Sequence, residues 1–267
     1  MNPPKTEELQ RIAADLADAA AAETLPRFRR PMFAEDKVGP GGVFDPVTEA
    51  DRAAEAAMRA VLARERPDDG ILGEEEAALR GTSGLTWVLD PIDGTKAFLA
   101  GAPTWGTLIA CGPSGGPPTI GIIDQPYIGE RFTGGPDGAA LLRRADRKTL
   151  ETRAVSGLSE AILFTTFPEI GTPAEREGFA RVASQARLTR YGMDCYAYAL
   201  VAAGHADLVI EAGLAPYDIQ GPMAVVRAAG GIVTAWDGGP AERGGRVIAA
   251  GCAAVHDSAV ALLRDAR

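Results

Sequence analysis

The sequence predicts a mixed α+β and α/β protein whose two sub-domains, residues 1–150 and 151–267, meet near residue 150. Three observations carry this. Two helical stripes open the chain, short apolar runs bounded by Gly, Pro and Asp follow from Gly70, and beyond Arg153 strand-like and helix-like segments alternate to the end. An apolar share of 46% gives each half enough material for a core, and 32 Gly with 19 Pro suit many tight connections better than a helical bundle.

Leu9, Ile12, Ala13, Leu16 and Ala20 recur at helical spacing, so a first helix is expected over 6–30, ending in the region of Pro26 and Pro31. A Gly- and Pro-rich stretch, 38–46, follows. Thr48 can cap a second helix with Asp51 three residues on. Ala54, Met58, Val61 and Leu62 form its buried stripe, and Pro67 stops it. Strands are expected at 71–72, 87–89, 107–111 and 120–123, with a hairpin over 131–142. The charged segment 143–153 reads as an exposed linker. Beyond it come a strand at 161–165, a helix at 173–185, a strand at 188–191, a helix at 195–203 and a strand at 207–210. A helix at 219–229, strands at 232–235 and 246–250, and a helix from Ala254 complete the chain.

A formal charge of −9 argues against nucleic acid or an anionic membrane as a partner, because a protein that binds a polyanionic backbone needs a basic face and none appears in the sequence. The acid excess points to cations. Cys111, Cys195 and Cys252 lie far apart in apolar surroundings, with neither disulfide-framework nor metal-site spacing, which fits a reducing cytoplasm. The N-terminal stretch lacks the features of a secretory signal, and no apolar run approaches the roughly 20 residues of a membrane span.

The most informative segment is Trp87-Val88-Leu89-Asp90-Pro91-Ile92-Asp93-Gly94-Thr95-Lys96. A buried strand ends in a carboxylate, Pro91 bars regular pairing, and Asp93-Gly94 turns the chain into a short helix over 95–100. Asp90, Asp93 and the Ile92 carbonyl then offer three hard oxygen donors within four residues, a set that suits magnesium. The amides of Gly94 and Thr95 at the helix start can hold a phosphate. Taken alone, the segment also reads as a capped turn. Gly73-Glu74-Glu75-Glu76 also reads as an exposed acidic loop, Asp51 as a capping residue, and Asp218 as an N-cap.

In order along the chain, Pro46-Val47-Thr48-Glu49-Ala50-Asp51, Gly73-Glu74-Glu75, Asp90-Pro91-Ile92-Asp93-Gly94-Thr95, Tyr217-Asp218 and Ala228-Ala229-Gly230-Gly231 resemble the signature motifs of the inositol monophosphatase superfamily over nearly the whole chain. The resemblance implies a layered αβαβα sandwich of the inositol monophosphatase and fructose-1,6-bisphosphatase type, with phosphate monoester hydrolysis by two or three magnesium ions. It implies that Glu74, Asp90 and the Ile92 carbonyl hold the first ion and Asp90, Asp93 and Asp218 the second, with Glu74 also serving a weaker third. Glu74 and Thr95, the latter tied to Asp51, would orient the attacking water. A homodimer and inhibition by lithium are likewise implied. His205 and His256 are expected to be structural.

A narrower resemblance, to bacterial histidinol-phosphate phosphatases of this fold, rests on Asp93-Gly94-Thr95-Lys96-Ala97-Phe98, on Gly106-Thr107-Leu108-Ile109-Ala110, on the run from Tyr191 to Tyr198 and on the run from Ala203 to Asp218. Ile219-Gln220-Gly221-Pro222-Met223 departs from that branch. By spacing back from Asp218, Glu211 and Asp194 fall at positions that meet the organic part of the substrate in the family. Two acids there favour a small phosphorylated substrate carrying positive charge, with Asp194 the more discriminating of the two, because inositol enzymes of the family also carry an acid at the Glu211 position, where it takes sugar hydroxyls. Asp194 also reads as an N-cap of the helix after it. Trp105, Tyr196, Tyr198 and Trp236 are expected to be core residues.

Overall fold

A computed structural model of the chain describes residues 6–31, 34–36 and 46–264. The first apolar stripe forms α1 (Thr6–Thr24), with Leu9, Ile12, Ala13, Leu16, Ala17 and Ala20 buried. It is shorter than the sequence suggested. Pro26 disfavours a helical conformation at Leu25, and the Thr24 hydroxyl donates back to the Ala20 carbonyl at 3.0 Å, so residues 25–30 continue only as turns. Residues 38–45 of the Gly- and Pro-rich stretch, with Lys37, lie outside the described residues. On either side, β1 (Ala34–Asp36) and β2 (Pro46–Thr48) form a short antiparallel ladder that the sequence did not announce. The second stripe forms α2 (Glu49–Glu65) behind the expected Thr48–Asp51 capping box.

Seven strands follow one another into one sheet: β3 (Gly70–Gly73), β4 (Leu85–Asp93), β5 (Gly106–Pro113), β6 (Ile120–Gln125), β7 (Glu130–Gly135), β8 (Gly138–Arg143) and β9 (Asp146–Leu150). All neighbours are antiparallel except β3 and β4. Strand β9 corrects the expected linker. Its first four residues are exposed and only Leu150 is buried, so it carries no apolar alternation to reveal it; charges on such an edge also discourage further pairing.

The second sheet contains β10 (Ile162–Thr165), β11 (Leu188–Tyr191), β12 (Leu208–Leu214), β13 (Ile232–Ala235) and β14 (Gly245–Ala250), in the spatial order β11-β10-β12-β14-β13. Parallel β10, β11 and β12 are linked through α4 (Pro173–Ala183) and α5 (Tyr196–Ala202), while β14 runs antiparallel to both neighbours. Helices α6 (Pro216–Ala228) and α7 (Ala253–Leu263) complete the chain.

Three cores stack these elements into the αβαβα sandwich. Helices α1 and α2 close one face of the larger sheet through Leu16, Met58, Trp87 and Ile109. Between the sheets, α5 and α6 bury Tyr198, Met223 and Val226 against Leu108, Ile123 and Phe132 on one side and Val209 and Val247 on the other. On the far face of the smaller sheet, α4 and α7 bring Phe179, Val182, Val255 and Ala259 against Leu208 and Ile248. Helix α6 lies unusually close to the larger sheet: a Cβ at Gly121 would stand 2.5 Å from the Gly221 carbonyl oxygen. Ile219, Gly221, Pro222 and Met223 are all buried in this contact. Residues 219–223, where the sequence departs from the histidinol-phosphatase pattern, therefore lie on the helix that packs against the larger sheet.

Candidate active site

The acidic cluster is built by an irregularity in β4. Asp90 pairs with Leu108 of β5 and Asp93 with Gly106, so three steps along β4 match two along β5 and one residue is extra. In a regular strand residues three apart point to opposite faces; one extra residue brings Asp90 and Asp93 back to the same side. Pro91 causes the break, having no N–H for the ladder. Its carbonyl is instead held by the Thr107 hydroxyl at 2.8 Å, and the Ile92 amide donates to Asp90 Oδ1 at 3.1 Å.

Asp218 arrives from the other sheet's side, on the first turn of α6, with Oδ2 accepting the Ala215 amide at 2.7 Å. It thus steadies the helix start from within the first turn. Ligand oxygens of Asp90, Asp93 and Asp218 all lie within 4.8 Å of one another. Glu74, just past β3, lines the same cavity, and its carboxyl hydrogen-bonds to that of Asp90. The cavity encloses about 300 Å³ and is also lined by Ile92, Gly94, Thr95, Asp194 and Glu211.

Asp51 lies just behind this wall and is 1% exposed. Its Oδ2 accepts the Thr48 amide at 2.9 Å and the Thr48 hydroxyl at 2.5 Å, while Oδ1 faces the Thr95 hydroxyl at 3.3 Å. One carboxylate oxygen of Asp51 thus caps α2 and the other faces Thr95. Thr95 Oγ1 is also 3.1 Å from the Ile92 carbonyl, so its single proton serves one of two acceptors and its lone pairs remain open to a water.

Burial pushes Asp90 well above the usual carboxylate range, and the neighbouring charges of Glu74, Asp93 and Asp218 push it further. Asp93 rises to about 8, first through burial and then through Asp194 and Asp218, although the Cys195 amide opposes this by donating to its Oδ2 at 2.7 Å. Crowded carboxylates with such raised values hold protons that a cation would replace. An all-oxygen donor set of this kind, including the Ile92 carbonyl, fits a small hard divalent cation.

The two expected substrate residues lie in the same cavity. Asp194 does not cap α5: Cys195 is the N-cap residue, without a side-chain cap, while Asp194 has φ of 47° and Oδ2 accepting the Thr104 hydroxyl at 2.8 Å. Glu211 is buried on β12 and accepts the Thr166 amide at 2.6 Å, the Thr166 hydroxyl at 2.9 Å and the Thr165 hydroxyl at 3.2 Å. Burial raises it to about 7 against the pull of those bonds. Neither histidine is among the cavity's lining residues; His256 bonds to Thr234 and Asp257 instead.

Trp105 and Trp236 are core residues as expected, and the Tyr196 hydroxyl donates to Glu130. Tyr198 differs. It is buried, but it lines the cavity, and among the described residues its hydroxyl has no hydrogen-bond partner. Thr166, Phe167 and Lys96 also line the cavity without having been singled out as site residues. Thr166 and Phe167 lie in a loop after β10 with no motif of their own. An aromatic one turn into a helix, as at Tyr198, has the same spacing whether it fills a core or floors a cavity.

Residues 5–266 match the inositol monophosphatase family as a whole. This chain belongs to that family. Its similarity to a bifunctional phosphatase of Arabidopsis thaliana, IMPL2, is 41% identity over 236 residues, covering 86% of this chain and 66% of the plant protein, so the chain spans just under two thirds of that relative. A histidinol-phosphatase of Streptomyces coelicolor is 35% identical over 261 residues, 96% of each protein. Among solved structures, an inositol monophosphatase from Zymomonas mobilis superposes with a TM-score of 0.85 at 39% identity, covering 98% of this chain and all of that one. As a family member with this acidic cavity, the chain is a phosphoric monoester hydrolase. Among the described residues no helix is long and apolar enough to cross a membrane.

Proposed function

We propose that this enzyme is a magnesium-dependent histidinol-phosphate phosphatase, acting on an ester whose organic part is cationic. The observation that carries the substrate reading is the presence of two further acids, Asp194 and Glu211, in the same cavity as the Asp90–Asp93–Asp218 cluster. Relatives named histidinol-phosphatase, from Streptomyces coelicolor and Mycobacterium tuberculosis at 35% identity each, support it.

In this reading Glu74, Asp90, the Ile92 carbonyl, Asp93 and Asp218 hold two or three magnesium ions. When bound, magnesium neutralises phosphoryl charge, acidifies water and stabilises the leaving oxygen. The chain's own groups do the rest. Asp51 fixes the Thr95 hydroxyl, so that Thr95 and Glu74 orient a water for attack and Glu74 can accept its proton. The amides of Gly94 and Thr95 face the phosphoryl group at the start of α3 (Thr95–Ala100). Asp194 and Glu211 meet the ammonium or imidazolium of the substrate through charge-assisted bonds.

Phosphate release from L-histidinol phosphate, inositol 1-phosphate and glycerol 2-phosphate, with magnesium and with a chelator, tests this. A kcat/KM for histidinol phosphate at least about tenfold above that for inositol phosphate is expected, one charge-assisted bond being sufficient for such a ratio. Activity should vanish on chelation. An equal or reversed preference would instead make the enzyme an inositol or sugar phosphatase, as the names of several relatives suggest.

A further inference from the structure

Six carboxylates line the active-site cavity, from Glu74, Asp90, Asp93, Asp194, Glu211 and Asp218, and the one basic side chain among its lining residues is Lys96. The Lys96 ammonium stands 4.9 Å from the centroid of the Phe167 ring, and its charge is felt by Asp194. Phe167 is 46% exposed, and of the large apolar side chains exposed on the described surface it alone lines this cavity. A phenyl face left open to solvent gains little from hydrophobic burial. It does attract a cation, because the negative face of its quadrupole points outward.

The Lys96 ammonium is compact, strongly hydrated and carried on a flexible stem, and the residue is exposed, so it can return to water with little penalty. A substrate anchored by its phosphate at the acidic cluster would present its own cation to the same face at high local concentration. An imidazolium stacks on an aromatic ring better than an ammonium does, being planar and less strongly hydrated, in the way that guanidinium exceeds ammonium.

We propose that the Phe167 ring, together with Asp194, forms a subsite for the cationic end of the substrate, and that Lys96 occupies it until the substrate's own cation takes its place. This rests on the reading of the substrate as a cationic ester, and it makes Phe167 a specificity residue and Lys96 an internal competitor. The two side chains therefore have opposite effects on the discrimination between charged and neutral esters.

The test is the KM of L-histidinol phosphate measured beside that of glycerol 2-phosphate in the parent enzyme and in three variants. Phe167→Leu should raise the KM for histidinol phosphate about fivefold or more and that for glycerol 2-phosphate by less than about twofold, the range expected for a cation–π contact. Phe167→Tyr should keep the parent ratio, and Lys96→Met should shift it in favour of histidinol phosphate. Equal changes for both esters in Phe167→Leu overturn the subsite, and a Lys96→Met shift toward glycerol 2-phosphate overturns the competition. If the parent does not hydrolyse histidinol phosphate, the substrate reading has failed by itself. The subsite is then measured by histidinol as an inhibitor of glycerol 2-phosphate hydrolysis: fivefold weaker inhibition in Phe167→Leu sustains it, and unchanged inhibition ends it.

Discussion

Asp93→Asn is expected to reduce turnover by roughly three orders of magnitude or more, since loss of the charge of a proposed metal ligand removes several kcal/mol of transition-state stabilisation. The fold should survive. Asparagine keeps the volume and can still accept the Cys195 amide that Asp93 Oδ2 accepts at 2.7 Å. Its effect on stability depends on pH with a definite sign. In the folded, chelated protein Asp93 titrates at about 8 against an ordinary 3.8, so the fold favours its neutral form. That advantage is complete below the unfolded value and disappears as pH rises through about 8. The asparagine variant has no charge to acquire. With chelator present, its melting temperature relative to the parent should therefore increase between pH 5 and 8, while phosphate release stays near background at every pH. A variant that retains turnover, or that becomes relatively less stable with rising pH, would contradict the role assigned to Asp93.

Glu55→Ala is expected to cost about 3 kcal/mol of stability and to raise the magnesium concentration for half-maximal activity about 10- to 100-fold, as loss of outer-shell support does at other metal sites. Glu55 is completely buried on α2, in a salt bridge to Arg59 Nε at 2.8 Å, and its two oxygens accept the Glu75 amide at 2.7 Å and the Glu76 amide at 3.1 Å. It is the post around which the chain turns just after Glu74. The fit is tight enough that a Cβ at Gly73 would stand 2.1 Å from Glu55 Oε1, so only glycine allows the loop to wrap the carboxylate. Removing the side chain takes this buried acceptor from two amides and leaves the Arg59 guanidinium to the Glu76 carbonyl at 3.1 Å and the Glu76 carboxylate at 3.5 Å, and it frees Glu74 from its position. Chemical denaturation and a magnesium titration of activity measure the two effects. A large stability loss with an unchanged magnesium requirement would show that Glu74 is placed by something else.

Asp51, Glu55, Met58 and Leu62 occupy positions i, i+4, i+7 and i+11 of α2, one helical face, and all four are buried. Two acids on an apolar stripe are a signal of a polar task, but the sequence draws attention only to Asp51, through its place three residues after Thr48. Glu55 has no such marker, and an acid in a helix is ordinarily a solvent-facing residue. The acids that converge in the cavity were legible for the opposite reason. Asp90-Pro91-Ile92-Asp93-Gly94 is a turn whose residue types have few other uses together, and the spacing to Glu74 and Asp218 matches a family pattern. The structure adds the strand irregularity that turns Asp90 and Asp93 to one side, which spacing alone does not reveal.

Local pattern also succeeded in α1 and α2, where one face is apolar and the other polar, and in β4 to β6, which are short and almost wholly buried runs bounded by turn residues. It failed at β9, where burial is confined to Leu150, and at β1 and β2, which pair across a Gly- and Pro-rich segment. Phe167 and Lys96 show a further limit. Nothing in a chain of letters says that a residue in the loop after β10 meets one at the start of α3; that contact exists only because the two sheets are stacked with α5 and α6 between them.

Binding of hard cations by Glu74, Asp90, Asp93 and Asp218 can be seen in a single experiment, anomalous diffraction from crystals soaked in Mn²⁺, a close stand-in for Mg²⁺. Peaks are expected between Asp90, Asp93 and Asp218 and between Glu74, Asp90 and the Ile92 carbonyl, with ligand distances of about 2.1 Å. A cavity without anomalous signal, while manganese binds only at the protein surface, would contradict it.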